Sequence, residues 1–484
     1  MISRDCFFVG GGWVTPESSE MLDVISPTTE LPVGRVAAST DADMDRAVAA
    51  ARSAFEDGPW PHMSVKERGE FLLGISEQLK PRAEELARLQ VDEMGSPYTF
   101  IRAVTDATLG DRIAHEVGSA LDISQREIRD GVAGKVVVFR DPIGAVAGII
   151  PWNAPLYLVF GKMLPALLTG CTIVIKPAPE TPLSAYPVAE AAMEVGLPTG
   201  VLNIVPGGRE VGEHLVCHPG VDRVAFTGSS AAGARIASLC GERLKSVSLE
   251  LGGKSAAIVL DDADFDRDVP MLVGCSMPNT GQVCVATTRI LVSRERSDEL
   301  VDRLVSSVAG MKVGDPHEAD TAFGPLVASR QRDRVENYIT LGKEQGAKIV
   351  LGGGRPENMP SGWFVEPTIF TEVDNSMTIA REEIFGPVVC VIEYCDVNEA
   401  ISIANDSEYG LGGAIFTSDP AKGLEVASQV VTGSLQVNNA PPAGGGGPFG
   451  GVKRSGIGKE FGPEGFDGYF NIKSVALPSE FVPS

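Results

Sequence analysis

Three residues far apart in this 484-residue chain have the types that acyl chemistry needs: a thiol at Cys284, a carboxylate at Glu250 and a side-chain amide at Asn153. Cys284 sits in Asn279-Thr-Gly-Gln-Val-Cys-Val, where Gly281 permits a tight backbone approach and polar residues interrupt an apolar region. Taken alone, a cysteine among apolar neighbours is more often a buried structural residue. As a nucleophile it needs its thiolate favoured, because an unperturbed thiol titrates at about 8.5. Glu250, in Leu249-Glu-Leu-Gly-Gly-Lys, follows a β-like run and precedes a Gly-Gly turn. It reads equally as a salt-bridged carboxylate or, beside a thiol, as a general base for water. Asn153, in Pro151-Trp-Asn-Ala-Pro, lies on a loop stiffened by two prolines. Its alternatives are a turn asparagine and an N–H donor aimed at an oxyanion.

Two further segments have the character of a phosphate or ribose site. Phe226-Thr-Gly-Ser-Ser-Ala-Ala-Gly follows a strand and opens a helix. There Gly228 and Gly233 let the backbone approach a ligand, and the helix N-terminus favours negative charge. It is not the usual G-x-G-x-x-G, and glycine also caps helices. Lys176 ends a strand where a dinucleotide fold often places an acid for the ribose hydroxyl. A lysine there could bond a ribose oxygen, pair with a 2′-phosphate, or simply be solvated.

The elements that must hold these residues alternate. The apolar spacing predicts helices over Asp41–Asp57 and from Ser64, with Glu67 completing a capping box and Pro81 breaking the run before a helix to Met94. Strands follow at Ala145–Ile150, Thr172–Ile175, Val201–Val205, Val221–Phe226 and Val247–Leu249, with helices at Leu156–Thr169 and Leu183–Val195 between them. A second set begins near Ser255: strands at Ile290–Val292, Phe364–Phe370, Val388–Glu393 and Ala414–Thr417, and a helix over Ser329–Gln345. Such alternation predicts parallel sheets covered on both faces, an α/β fold with two units divided near 250–255. Ligands in such sheets sit beyond the carboxyl ends of the strands, where the residues singled out above fall. A low-complexity tract is confined to Gly444–Gly447.

Bulk properties narrow the function classes. A length of 484 residues calls for two or three structural units rather than one core. The net charge of -23 repels nucleic-acid backbones, and no stretch of Lys and Arg is dense enough to offset it. The eight cysteines include no C-x-x-C pair and the five histidines are scattered, so no metal site is expected. Reduced thiols and an N-terminus without a signal-peptide core point to the cytoplasm. Residues 142–161 carry no charge and approach the length of a membrane span. Pro151, Asn153 and Pro155 would break such a helix and Lys162 ends it, so a buried strand-loop-helix is expected and no membrane partner.

Taken together, the motifs resemble the aldehyde dehydrogenase superfamily, over essentially the whole chain and in the family's order. They are PWNAP at 151–155, KPAPETP at 176–182, FTGSS at 226–230, LELGGK at 249–254, GQVC at 281–284, EEIFGPV at 382–388 and PFGGVKRSGIGKE at 448–460. The resemblance implies oxidation of an aldehyde to its acid, with NAD or NADP accepting hydride and NAD favoured. It makes Cys284 the nucleophile that carries a thiohemiacetal and then a thioester, Glu250 the base for hydrolytic water, and Asn153 the oxyanion donor. Cofactor contacts carry over to Ile150, Pro151, Trp152, Lys176, Gly212, Gly228, Ser229, Leu251, Gly252, Glu383 and Phe385, with Glu383 at the nicotinamide ribose.

The family architecture implies two parallel-sheet α/β domains and a small β oligomerisation element. Here the cofactor domain would be 1–119 with 142–250, the catalytic domain 251–455, and the oligomerisation element 120–141 with 456–484. A homodimer or homotetramer is implied. Two departures stand out. Many NAD-preferring members carry a glutamate where this chain has Pro179, with Glu180 adjacent. A proton-relaying glutamate near the C-terminus would fall, without gaps, at Pro463 beside Glu464, so the relay is expected to be absent or rearranged. The competing readings are a CoA-acylating dehydrogenase, which typically lacks the glutamate matching Glu250, a catalytically silent scaffold of the same fold, and a cysteine hydrolase, which would want a histidine base that no motif supplies. The walls of the aldehyde tunnel are expected to include Tyr157, Met277 and Asn438.

Overall fold

Buried β-branched runs build the centre of the molecule, and the computed structural model describes residues 1–439 and 446–478. The first two glycines of the 444–447 tract and residues 479–484 lie outside the described residues. The first large sheet has eight strands. Its five central ones, in spatial order, are Ser246–Glu250, Arg223–Thr227, Ala145–Ile149, Thr172–Lys176 and Leu202–Ile204, all parallel. Gly456–Ile457 adds an antiparallel edge beside Ser246–Glu250, and the hairpin Phe7–Val9 and Gly12–Val14 closes the other side.

Strand order reverses between Ala145–Ile149 and Arg223–Thr227, which are paired neighbours although not consecutive. The connections leave these two strands in opposite directions, which opens a crevice at their carboxyl ends. The segments emerging there are Ile150–Asn153 and Gly228–Ser229.

The second large sheet has seven strands, ordered Lys348–Leu351, Thr368–Thr371, Val388–Tyr394, Arg289–Ser293, Ala256–Val259, Gly413–Phe416 and Gln436–Val437. All pairings but the first are parallel. A separate antiparallel sheet joins Arg126–Gly131, Gly134–Pro142 and Phe470–Ala476. The expected α/β class with two parallel sheets and a small β element is therefore what the chain forms.

Local signals act as expected, with shifts of a few residues. Ser64 and Glu67 form the capping box of helix Val65–Leu79. Pro81 sits in a 3-10 turn, Lys80–Arg82, before helix Ala83–Met94. The strand expected over Phe364–Phe370 begins only at Thr368, because Pro367 has no N–H to give a ladder. The uncharged stretch 142–161 becomes strand Ala145–Ile149, a loop, and the buried helix Pro155–Leu168. Among the described residues no helix is long and apolar enough to cross a membrane.

Candidate active site

A cavity of about 790 Å³ opens at the crevice and is walled by residues of both sheets, Asn153, Glu250 and Cys284 among them. Cys284 is half-buried at the cavity wall rather than sealed in the core. Its position depends on an unusual backbone. Asn279, Thr280 and Gly281 take φ values of 50, 56 and 72, three consecutive left-handed residues of which two carry a Cβ. Each non-glycine residue there costs about 1–2 kcal/mol, so other contacts must hold the loop.

Those contacts are present. The Asn279 Nδ2 donates to the Asn153 carbonyl at 3.1 Å, and the Asn153 Nδ2 donates to the Gln282 carbonyl at 3.0 Å. Gln282, fully buried, accepts the Val327 N–H at 3.0 Å, and Thr280 Oγ1 accepts the Gly324 N–H at 3.0 Å. Gly281 is needed for space as well as φ: a Cβ there would stand 2.0 Å from the Gly386 carbonyl oxygen. Asn153 is thus stapled to the thiol loop, and an amide has a second N–H left for a ligand.

Glu250 ends its strand 3% exposed, and neither carboxylate oxygen has a hydrogen-bond partner of ordinary geometry among the described residues. Burial, and next the Glu460 carboxylate, raise it well above the usual carboxylate range, while Lys162, Lys459 and the Gly451 amide act the other way. The Cys284 thiol is pushed up to about 12, first by burial and then by the Glu383 and Glu250 carboxylates. Burial and the neighbouring carboxylates thus disfavour the charged form of both members of this pair. Backbone must come close here too: Gly450 has no room for a Cβ, which would lie 2.5 Å from Glu250 Oε1.

A groove fit for a dinucleotide runs along the same crevice. Ser229 caps the 13-residue helix Ser230–Glu242, whose N-terminus is a ready site for a diphosphate. Gly228, Leu251 and Gly252 line the cavity with Pro151 and Trp152. Glu383 Oε1 accepts the Gly253 N–H at 3.1 Å and burial pushes the acid up to about 7. A Cβ on Gly252 would stand 2.3 Å from that carboxylate. Phe385, at φ 62, meets Trp152 edge to face at 5.3 Å, and its carbonyl accepts Gln331 Nε2 at 2.8 Å. Small residues beside an acid and a helix N-terminus suit a nicotinamide dinucleotide.

Not every expected contact reaches the cavity wall. Ile150 points its side chain into the core. Lys176, 5% exposed, gives its Nζ to the Gly207 carbonyl at 2.7 Å and, through burial, is held down to about 8. Gly212 lies against it, a Cβ being 3.1 Å from Lys176 Cε. Of the expected tunnel residues only Tyr157 lines the cavity. Met277 is packed in the core of the second sheet, and Asn438 turns to Thr417, bonding its N–H and its carbonyl.

Sequence reasoning missed Glu460 and Lys162. Glu460 lines the cavity and forms a buried ion pair with Lys162, which is completely buried on helix Pro155–Leu168. The position reached by gapless counting, Pro463 with Glu464, is an exposed turn instead. A signal existed: Lys162 is the lone charge in an apolar helix, and such a charge needs a partner. The partner was already inside the motif at 448–460. No group of His, Cys, Asp or Glu among the described residues is arranged to hold a metal ion.

The Aldehyde dehydrogenase family model matches residues 13–475. Geranial dehydrogenase of Castellaniella defragrans is 44% identical over 98% of this chain and 99% of its own length. The 3-succinoylsemialdehyde-pyridine dehydrogenase of a Pseudomonas species is 42% identical over 97% of this chain and 98% of its own. The crystal structure of Mycobacterium tuberculosis aldehyde dehydrogenase complexed with NAD+ superposes with a TM-score of 0.97 at 45% identity, covering 100% of both chains.

Two outcomes follow from the geometry. Gly281→Ala should leave the far-ultraviolet circular dichroism spectrum intact yet remove most activity, because the new methyl drives the thiol loop off the Gly386 carbonyl; full activity would mean the loop tolerates the shift. Alkylation of Cys284 by iodoacetamide, followed by peptide mass mapping, should rise about tenfold per pH unit from 7 to 10, as expected of a thiol whose pKa lies above that range. A plateau near pH 9 would instead mark an ordinary thiol.

Proposed function

This chain belongs to the aldehyde dehydrogenase family, whose reaction is the NAD(P)-dependent oxidation of aldehydes, and from that premise we propose how its own residues carry the reaction. Cys284 is the nucleophile, Asn153 the oxyanion donor and Glu250 the base for water. The observation that carries this reading is the convergence of all three on one cavity together with Glu383 and Phe385.

When bound, the oxidised nicotinamide supplies the hydride acceptor and a positive charge that favours the thiolate. Cys284 gives up its proton to solvent, its thiolate Sγ adds to the aldehyde carbon, and the developing oxyanion takes the free N–H of Asn153 and a backbone N–H of the thiol loop. Collapse of the thiohemiacetal releases hydride and leaves a thioester on Cys284. Glu250 in its ionised form takes a proton from water, and the resulting hydroxide equivalent opens the thioester, releasing the acid and the Cys284 thiolate. Glu460, paired with Lys162, receives that proton or compensates it electrostatically. Glu383 would orient the nicotinamide end through the ribose. Lys176 with Gly212, the 228–229 turn and the backbone at Ile150, Pro151, Trp152, Leu251 and Gly252 would hold the remainder.

We assign NAD as the working cofactor, which the NAD+ complex of the Mycobacterium tuberculosis relative supports. We also propose a homo-oligomer, dimer or tetramer, joined through the small sheet, residues 120–141 with the C-terminal strand. Ile128, Ile472 and Val475, exposed on that sheet at 43%, 62% and 39%, support it. The proposed division is a cofactor domain around the first large sheet and a catalytic domain around the second. The free thiols at all eight cysteines support a cytoplasmic setting.

Intact-protein mass spectrometry tests the mechanism. Cys284→Ala should give no turnover and no adduct. Glu250→Gln should still form the acyl-enzyme and accumulate it, with steady-state turnover down at least a hundredfold; wild-type turnover would remove Glu250 from the role of base. In the wild type, deacylation should fall on the acid side at a pH well above 4.5, since the raised Glu250 must be ionised to act.

A further inference from the structure

Behind the aromatic wall of the cavity lies a charge that the reaction does not use. Helices Tyr98–Ala107 and Ile113–Leu121 are joined by a single π turn, Thr108–Arg112, with Gly110 out of helical conformation. Such turns re-aim one side chain from an otherwise regular face. Here the side chain is Arg112, 5% exposed. Its guanidinium carbon lies 3.8 Å from the Tyr157 ring centroid and 4.4 Å from that of Phe461. Both rings line the cavity, 5.9 Å apart, and Tyr157 stands near enough to Cys284 to feel its charge.

Arg112 has no carboxylate within ion-pair distance among the described residues. Nη1 donates to the Tyr157 carbonyl at 3.0 Å, while Nε and Nη2 are buried without partners. The acids around it form no ion pair with it. Glu460 is engaged by Lys162, burial raises Glu116 on the next turn, and Glu250 is raised as well. His115, on the same segment, points to solvent. A guanidinium cannot shed its proton, so the positive charge stays behind the rings.

We infer that Arg112 is a specificity-determining residue that sets this tunnel for neutral, apolar aldehydes and against aldehydes bearing an ammonium group. This rests on the dehydrogenase reading above. Aromatic faces bind cations through their electron-rich centres, and at the throat of this tunnel those faces already serve a cation. A second cation meets a like charge across the rings. The acids in the cavity wall are otherwise committed: Glu460 is paired with Lys162, and burial shifts Glu250 and Glu383 toward their neutral forms, while Phe100, Val104, Leu158, Met271 and Val285 make much of the remaining lining apolar. A hydrocarbon chain buries against these side chains with no polar group to desolvate.

The test uses an isosteric pair, trimethylammonioacetaldehyde and 3,3-dimethylbutanal, which differ in charge and hardly in shape. The readout is the ratio of kcat/KM, neutral over cationic, for the full chain with NAD+. Hydration and intrinsic reactivity of each aldehyde are the same toward every variant, and the folded fraction of each variant is the same toward both aldehydes, so all cancel in the comparison. Arg112→Met should lower the ratio at least about tenfold, equivalent to about 1.4 kcal/mol, whereas Arg112→Lys, which keeps the charge, should hold it within threefold. A ratio unchanged in Arg112→Met, or lost equally in Arg112→Lys, overturns the inference. Calorimetry with the wild type needs neither turnover nor a variant: 3,3-dimethylbutan-1-ol should bind at least tenfold more tightly than choline. Choline binding as well as the neutral alcohol overturns the inference even if the dehydrogenase activity is sound. Absence of any aldehyde oxidation would instead count against the activity alone.

Discussion

A carboxylate and a thiol that share one largely apolar cavity cannot both ionise freely, because each anion raises the cost of the other. Cys284, Glu250 and Glu383 are in that position, and all three are held toward their neutral forms. In the proposed mechanism the sulfur is neutral once the thioester has formed, so it then no longer opposes the charge that Glu250 needs to act as a base. Glu460 and Lys162 form a buried pair next to Glu250, which would give the proposed hydrolysis a proton acceptor beside its base.

That electrostatic balance demands fixed distances, which the fold supplies through backbone. Parallel strands end at the crevice and carry Asn153, Ser229 and Glu250 on consecutive or neighbouring termini of one sheet. The thiol loop comes from the other sheet, bent left-handed at three residues and stapled to Asn153 in both directions. Such strain persists only where the surroundings over-determine it. Fully buried Gln282 and Thr280 provide the outer bonds. Movement of either sheet would therefore break the site before it broke the fold.

Much of this could be read from residues alone, for identifiable reasons. The parallel strands announce themselves as short apolar runs bounded by Gly and Pro, and the capping box at Ser64 is a local rule. The motifs carry the activity because they keep their order along nearly the whole chain. What escaped depends on tertiary pairing. Glu460 reaches Glu250 because strand Gly456–Ile457 pairs with Ser246–Glu250, placing Gly456 opposite Glu250, and the chain then folds back through the Phe449–Glu460 bridge. Counting positions without that register lands on Pro463. Arg112 was equally invisible, since the π turn that aims it has no signature in hydrophobic spacing. Met277 and Asn438 fail as tunnel residues for the converse reason: each is adjacent in sequence to a residue that does line the cavity, Pro278 and Asn439, but faces away.

The mutual opposition of thiol and acid is best tested by the rate of Cys284 alkylation at pH 8 in Glu250→Gln against the wild type, without cofactor. Removal of the carboxylate should make the thiolate easier to form, so the variant should react faster. A slower reaction would show Glu250 drawing the proton from the thiol at rest, contrary to the electrostatic balance on which the mechanism depends.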